Sequence, residues 1–313
     1  MNCLSVSWRI VLEDRIPVIA GCTAVGKTEA AMFIAGRRQV EIVSADSRQM
    51  YTGMDIGTAK PSADQLKKVP HHMIDVADPD TLRSSVWYAE KALTIINRIL
   101  DRGSIPLVVG GSGMYIMSLA GLLDSLPSRN DVLREALSTI ENQVPGALHR
   151  LLKSLDVEEA ARIGKTDMVR LVRSMEIALL SGSMPSMLKQ GGRPDSRFRF
   201  VYIEKDNAAL KEGIKRRTSS MLSMGLVEEV EGLLRKGYRR DPVLGATIGY
   251  SEIIDYLEGR CSLQEAAVLI QTHTWQYARR QRNMFRRLPG VVSVSSDPVV
   301  VEAALFGERR TGG

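Results

Sequence analysis

Cysteine is scarce in this chain. Three of them in 313 residues (Cys3, Cys22 and Cys261) are odd in number and lack metal-ligand spacing. That argues against a disulfide framework or a zinc site and suits a reducing compartment, so a cytoplasmic location is expected. Long apolar runs are missing as well. None reaches the length needed to cross a bilayer, so no membrane association is expected. The opening MNCLSVSWRIVLED holds a short apolar patch, but Arg9, Glu13 and Asp14 interrupt it and no small-residue cleavage site follows; no signal peptide is expected. Internal repeats and low-complexity tracts are absent too.

What remains is ordinary for a globular protein: 44% hydrophobic and 25% charged residues, in a chain long enough for two domains or for one domain with a large insertion. A formal net charge of +6 admits an acidic partner, with nucleic acid the obvious candidate. Four short apolar runs, PVIAGC, VEIVSADS, HHMIDVAD and IPLVVGGSG, end in glycine or polar residues and have helical patterns between them. Strands alternating with helices imply βαβ units and a parallel sheet. A fifth run, FRFVYIEK, comes much later, and VVSVSS near the end is a possible sixth strand. Between the fourth and fifth runs strand signals vanish, and helical periodicity with basic residues takes over. The expected class is therefore α/β: a parallel-sheet core over residues 1–123 and 195–313, with an α-helical insertion over 124–194 and a helical C-terminal region.

The most specific local signal is GCTAVGKT at residues 21–28, which matches G-x-x-x-x-G-K-[ST] between a strand and a helix. Glycines allow backbone N–H groups to turn around an anion, and the helix N-terminus and Lys27 add positive charge. Thr28 is placed to reach a Mg²⁺ ion held on the same phosphates. A nucleotide-hydrolysing protein also needs an apolar strand ending in a metal-positioning Asp. Here the fourth strand ends in glycines, and Asp75, at the end of the third, has no switch glycine or base-recognition motif after it.

Asp46 follows the second strand, whose carboxyl end should face the ligand crevice. It is either a general base for an incoming nucleophile or a cap on its own turn. Tyr51, Asp55 and Lys60 belong to a polar loop too long to be a plain connector. Gly110, Gly111 and Gly113 permit a close approach after the fourth strand. The last long helix carries Arg279, Arg280, Arg282, Arg286 and Arg287 with Trp275, Tyr277 and Phe285 interleaved: a nucleic-acid face or a solvated charged helix. Arg216 with Arg217, and Arg170 with Arg173, form further basic pairs, while the adjacent His71 and His72 are read as structural.

Taken together, GCTAVGKT, SADSRQMYTGMDIGTAKP, PHHMIDVADP, VVGGSGMY, VRLVRSMEIALLSG, MLSMGLVEEV, IGYSEIIDYLEG and YARRQRNMFR closely resemble the tRNA dimethylallyltransferases, over residues 17–287. The resemblance implies a P-loop, nucleotide-kinase-like core. It also implies transfer of the dimethylallyl group from dimethylallyl diphosphate to N6 of the adenosine 3′ of the anticodon (position 37), in tRNAs reading codons that begin with U. The diphosphate is then a leaving group rather than a phosphoryl donor. By this resemblance Asp46 takes the N6 proton, Thr23 lies beside the bridging oxygen, and Arg217 joins Gly21, Thr23, Ala24, Val25, Gly26, Lys27 and Thr28 around the diphosphate, with Mg²⁺ as cofactor. Asp46, Ser47, Arg48, Gln49, Ser112, Arg134, Arg170, Arg279, Arg280 and Arg282 are the implied tRNA contacts, with the insertion gripping the anticodon stem-loop of a tRNA bound by a monomer. Cys22 departs from the family's usual proline, Ser112 from threonine and Trp275 from arginine, the last removing one contact to RNA or phosphate. The stretch before Asp167 also lacks the family's usual prolines. Competing readings are an adenylate isopentenyltransferase, which needs no tRNA grip, a P-loop small-molecule kinase and a noncatalytic RNA-binding P-loop protein.

Overall fold

The computed structural model describes residues 15–124, 126–240 and 242–307. The chain divides into two compact units: one holds the residues up to Ala120 and from Ser196 onward, the other Gly121–Asp195.

The first unit opens with β1 (Ile16–Gly21), in which every residue is buried. A strand covered on both faces needs a continuous apolar run rather than alternation, and this stretch supplies one. Next come α1 (Lys27–Ala35), β2 (Val40–Ser44), α2 (Ala63–Lys68), β3 (His71–His72), α3 (Ser85–Asp101), β4 (Ile105–Gly110) and α4 (Gly113–Leu119). In the second unit α5 (Asp131–Gln143), α6 (Ala147–Leu155), α7 (Val157–Arg162), α8 (Met168–Ser181) and α9 (Pro185–Leu188) follow one another, with no strand among the described residues. The chain returns through β5 (Phe198–Ile203), then α10 (Asn207–Ser223), α11 (Leu226–Arg235), α12 (Tyr250–Leu257), α13 (Leu263–Phe285), β6 (Val292–Val294) and α14 (Pro298–Phe306).

All the strand pairings are parallel, in the order β3-β2-β4-β1-β5-β6. β1 therefore sits between β4 and β5, with Ile19 opposite Val109 on one side and Val201 on the other. The carboxyl ends of β1, β2 and β4 lie side by side, which is where a doubly wound sheet offers its ligand crevice. Ile19, Ile34, Leu107, Val201 and Leu305 belong to one apolar cluster beneath that edge. Truncating such a residue to alanine costs about 2–5 kcal/mol.

The third strand is shorter than its sequence suggests. Met73 and Asp75 take left-handed φ values of +63° and +52°, which ends the ladder after His72. The sixth run does pair, with Val292 opposite Val201. The closing helix α14 escapes a periodicity argument because PVVVEAALF is apolar on nearly every side; it packs Val301 and Leu305 into the same core as α1.

The helical unit has its own small core, with Leu148, Leu152, Leu171 and Met175 at its centre. Three of its helices start on side-chain caps: Asn130 accepts from Leu133 N, Asp156 from Glu159 N and Asp167 from Arg170 N. Each cap satisfies one of the amides that the first helical turn leaves unbonded.

Candidate active site

Residues 21–28 leave the end of β1 and enter α1. Ala24 and Gly26 hold left-handed φ values of +60° and +99°, the alternation that turns successive amides toward one point. Gly26 caps α1 without a side-chain hydrogen bond, so the helix start is not closed by a side chain and is suited to an anion. Gly21 is required sterically: a Cβ there would lie 2.8 Å from Val25 Cγ2. Lys27 Nζ donates to Gly21 O at 3.0 Å and to Cys22 O at 2.6 Å. Burial lowers the pKa of its ammonium to about 8, against an opposing pull from Asp46. The Cys22 side chain points away from the loop's mouth: its thiol donates to Ala278 O at 3.2 Å and lies 3.7 Å from the Tyr202 hydroxyl. A non-proline residue is accommodated there because only the backbone shapes the cradle.

Beside the loop is a cavity of about 380 Å³, lined among others by Thr23, Lys27, Thr28, Asp46, Arg217 and Arg280. Ser47, Arg48 and Gln49 also line it. Asp46 caps its own turn and also lines the cavity. Its Oδ1 accepts from Arg48 N at 2.8 Å and Gln49 N at 3.4 Å, which caps the turn, and the same carboxylate stands on the cavity wall. The turn thus fixes the orientation of the carboxylate. Arg217 reaches the cavity from α10 and donates Nη2 to Thr58 O at 3.2 Å. Burial lowers its pKa while Asp46 raises it.

The glycines after β4 serve close packing. A Cβ on Gly110 would stand 2.1 Å from Ala45 O, so the ends of β2 and β4 meet only because it is absent. Ser112 is buried, and its Oγ accepts from Ser47 N at 2.8 Å. It therefore holds the Asp46 turn from behind. Asp75, the other carboxylate near this edge, is bound to the Lys60 ammonium. Lys60 also reaches Asp55 Oδ1 at 2.6 Å and Tyr51 O at 2.7 Å. The long polar loop is thus an internally braced wall, and Asp75 braces it.

The basic residues separate by environment. Arg279 and Arg280 are both exposed on α13, but Arg280 also lines the cavity, its guanidinium 5.8 Å from the Tyr277 ring centroid. Arg282 donates to Asn207 Oδ1 at 2.8 Å and to Lys205 O at 3.1 Å, and Arg286 pairs with Glu204, so both tie α13 to the segment after β5. Trp275 packs against the edge of the sheet core with Lys211 Nζ 5.0 Å from its ring centroid. In the helical unit Arg134 binds the fully buried Glu176 through Nε at 2.9 Å and Nη2 at 2.8 Å, and Arg173 joins the same carboxylate. Arg170 is exposed on α8 near Asp167.

Three residues to which the sequence assigned no role at the site belong to this picture. His71 lines the cavity, and its ring is held by Val69 O at 2.8 Å. Gln281, hidden in sequence among arginines, is buried on the cavity wall, where its amide donates to Gly111 O and its Oε1 has no partner among the described residues. Glu229, on α11, binds the loop behind the wall.

A family model described as IPP transferase matches residues 49–288. A curated tRNA dimethylallyltransferase from Kosmotoga olearia is 41% identical over 282 residues, covering 90% of this chain and 91% of the relative. The chain belongs to the IPP transferase family. Among solved structures, this family member is similar to a tRNA isopentenylpyrophosphate transferase from Bacillus halodurans, at 34% identity and a TM-score of 0.66, covering 90% of each chain. It shares its fold with a eukaryotic dimethylallyltransferase acting on tRNA, at 23% identity and a TM-score of 0.76, over 90% of this chain and 74% of that one. A kinase is not favoured by these relatives.

Proposed function

We propose that this protein transfers the dimethylallyl group from dimethylallyl diphosphate to N6 of the adenosine 3′ of the anticodon, position 37, in tRNAs reading codons that begin with U, releasing diphosphate. One observation carries the reading. Lys27, Arg217 and Asp46 converge on a single cavity, while Asp75, the nearby candidate for a hydrolytic carboxylate, is bound to Lys60. The cavity therefore pairs cations for a leaving diphosphate with a carboxylate for a nucleophile.

In this mechanism the loop amides, Lys27 and Arg217 hold the diphosphate, with Thr23 beside the oxygen of the bond that breaks. The N6 lone pair forms a bond to C1 of the dimethylallyl group. The C1–O bond breaks and its electron pair leaves on diphosphate. Asp46 accepts the proton released from N6. Charge that develops on the leaving oxygen meets preorganised donors in a partly dry site, where such donors act most strongly. Lys27 exchanges the carbonyls of Gly21 and Cys22 for the phosphate oxygens, whose charge favours its ammonium form.

The residues fit magnesium. Mg²⁺ takes one or two protein oxygens and completes its shell with phosphate and water, and Thr28 presents a hydroxyl on the cavity wall. When bound, the ion neutralises charge on the departing diphosphate. The target adenosine must leave its stack to reach Asp46. The exposed Arg170, Arg279 and Arg280, together with Asp46, Ser47, Arg48 and Gln49 on the cavity wall, are the assigned tRNA contacts, while Arg134, Arg282 and Ser112 are bound to neighbouring protein groups.

The test is incubation with labelled dimethylallyl diphosphate and either tRNA or AMP, without ATP. Label is expected on tRNA alone. Label on AMP would indicate the adenylate enzyme, and an ATP requirement would indicate a kinase.

A further inference from the structure

Behind the cavity wall, on α11, the Glu229 carboxylate gathers four donors. Its Oε2 accepts from Asp55 N at 3.0 Å and Ile56 N at 2.7 Å, and its Oε1 from Gly57 N at 3.1 Å and the Tyr250 hydroxyl at 2.6 Å. Successive backbone N–H groups folded around one anion form a nest of the kind that usually holds phosphate. Here the protein fills it with its own side chain. Tyr250 is fully buried, and burial followed by the charge of Glu229 drives its phenol far up, so it remains a donor at any working pH. The fit is tight, since a Cβ on Gly57 would lie 2.4 Å from the Tyr250 ring.

The other side of the same loop faces the site. Thr58 O accepts from Arg217 Nη2 at 3.2 Å and Gln49 Nε2 at 3.3 Å, and Ala59 O accepts from Gln49 Nε2 at 3.1 Å. Gly57, Thr58 and Ala59 line the cavity. One short loop is thus pinned on its outer side by a carboxylate and supports, on its inner side, the guanidinium assigned to the leaving diphosphate. We propose that Glu229 is a positioning residue for the diphosphate end of the site: by filling the nest at 55–57 it sets the Thr58 carbonyl, and through it Arg217. This rests on the assignment of Arg217 to the diphosphate under the proposed function. No charge of Glu229 enters the cavity, and its effect travels only through the loop.

Replacing Glu229 with alanine deletes one acetate equivalent and leaves three amides and a phenol without their anion. An open cleft lined by Gly53, Asp55, Ile56, Gly225 and Glu229 gives a small carboxylate access to the vacated place. The experiment measures prenyl transfer to tRNA, tRNA affinity and melting temperature for wild type, Glu229→Ala and Tyr250→Phe, with acetate or with chloride at equal ionic strength. For Glu229→Ala, kcat/KM for dimethylallyl diphosphate is expected to fall about 100-fold, the scale of a small misplacement of a positioning group, mainly through KM. tRNA affinity should be unchanged, and acetate but not chloride should restore much of the loss. Tyr250→Phe keeps the carboxylate and should lose about tenfold, one charge-assisted hydrogen bond; it carries the test if the alanine variant does not fold. Wild-type kcat/KM in the folded alanine variant overturns the proposal, as does a loss that acetate restores no better than chloride. If the alanine variant does not fold, wild-type kcat/KM in Tyr250→Phe overturns it. Failure of the wild-type protein to prenylate tRNA in the same assay would instead overturn the proposed function.

Discussion

The sheet unit hides apolar strands, places its chemistry at their ends and buries Glu41, Glu252 and Glu302, whereas the much smaller helical unit concentrates four buried carboxylates in one small core. In the second unit Glu141, Asp156, Glu159 and Glu176 are all buried, each with hydrogen-bond donors. Short helices provide few apolar contacts, and charged hydrogen bonds fix their relative register instead. In the sheet unit backbone geometry does that work, as in the left-handed Ala24 and Gly26 of the phosphate loop. The consequence is that an arginine has a different meaning in each unit. At the cavity, Arg217 and Arg280 are available to a ligand, while in the helical unit Arg134 and Arg173 are committed to Glu176 and Arg170 is exposed.

Substitutions should separate the two units. The largest effect is expected at Asp46. Asp46→Ala should lower the single-turnover rate of prenyl transfer about 10²–10⁴-fold, the usual contribution of a positioned base. Equilibrium binding of the anticodon stem-loop should stay within a few fold, and a near-wild-type rate would remove the base assignment. Next is Glu176→Gln. Burial raises the Glu176 pKa, but hydrogen bonds from Arg134, Asn130 N–H and Arg173 outweigh it and hold it at about 2. A depressed carboxylate stabilises the fold above its unfolded pKa and loses that contribution as pH falls through the folded one, here between about 4.5 and 2. Urea titrations should show the variant less stable by about 2–3 kcal/mol at neutral pH and less sensitive to acid across that window. Equal pH profiles for variant and wild type would show that the ion network is not what holds the helices.

The third effect belongs to Lys27. A lysine whose pKa is lowered to about 8 carries its charge below that pH and loses it above. In the ligand-free enzyme kcat/KM for dimethylallyl diphosphate should therefore fall about tenfold per pH unit above 8. A profile flat to pH 10 would show that the ammonium is not needed to capture the diphosphate.

Much of the sheet unit was legible in the sequence, because buried parallel strands and the phosphate loop both leave local signatures. PVIAG and IPLVVG announce themselves as continuous apolar runs, and G-x-x-x-x-G-K-[ST] dictates its own backbone. The third strand misled because HHMIDVAD is apolar enough to extend, and nothing local shows Met73 and Asp75 turning left-handed. Asp46 left two readings open; its hydrogen bonds show the cap, and its place on the cavity wall leaves the carboxylate positioned for the proposed base role. Gln281 and Glu229 left no mark, since their roles depend on partners 170 and 172 positions away. In the helical unit the helices were visible by their period, but which arginine is spent internally depends on the burial of Glu176, a fact of packing alone.

The central claim is that the loop at residues 21–28 holds a leaving group rather than a phosphoryl donor. The direct measurement is the stoichiometry of inorganic diphosphate released against prenyl groups appearing on tRNA, in a purified reaction containing dimethylallyl diphosphate, Mg²⁺ and tRNA and no nucleotide. One diphosphate per prenylated tRNA is predicted. Release of orthophosphate, or product that forms only when ATP is added and cleaved, would contradict the account.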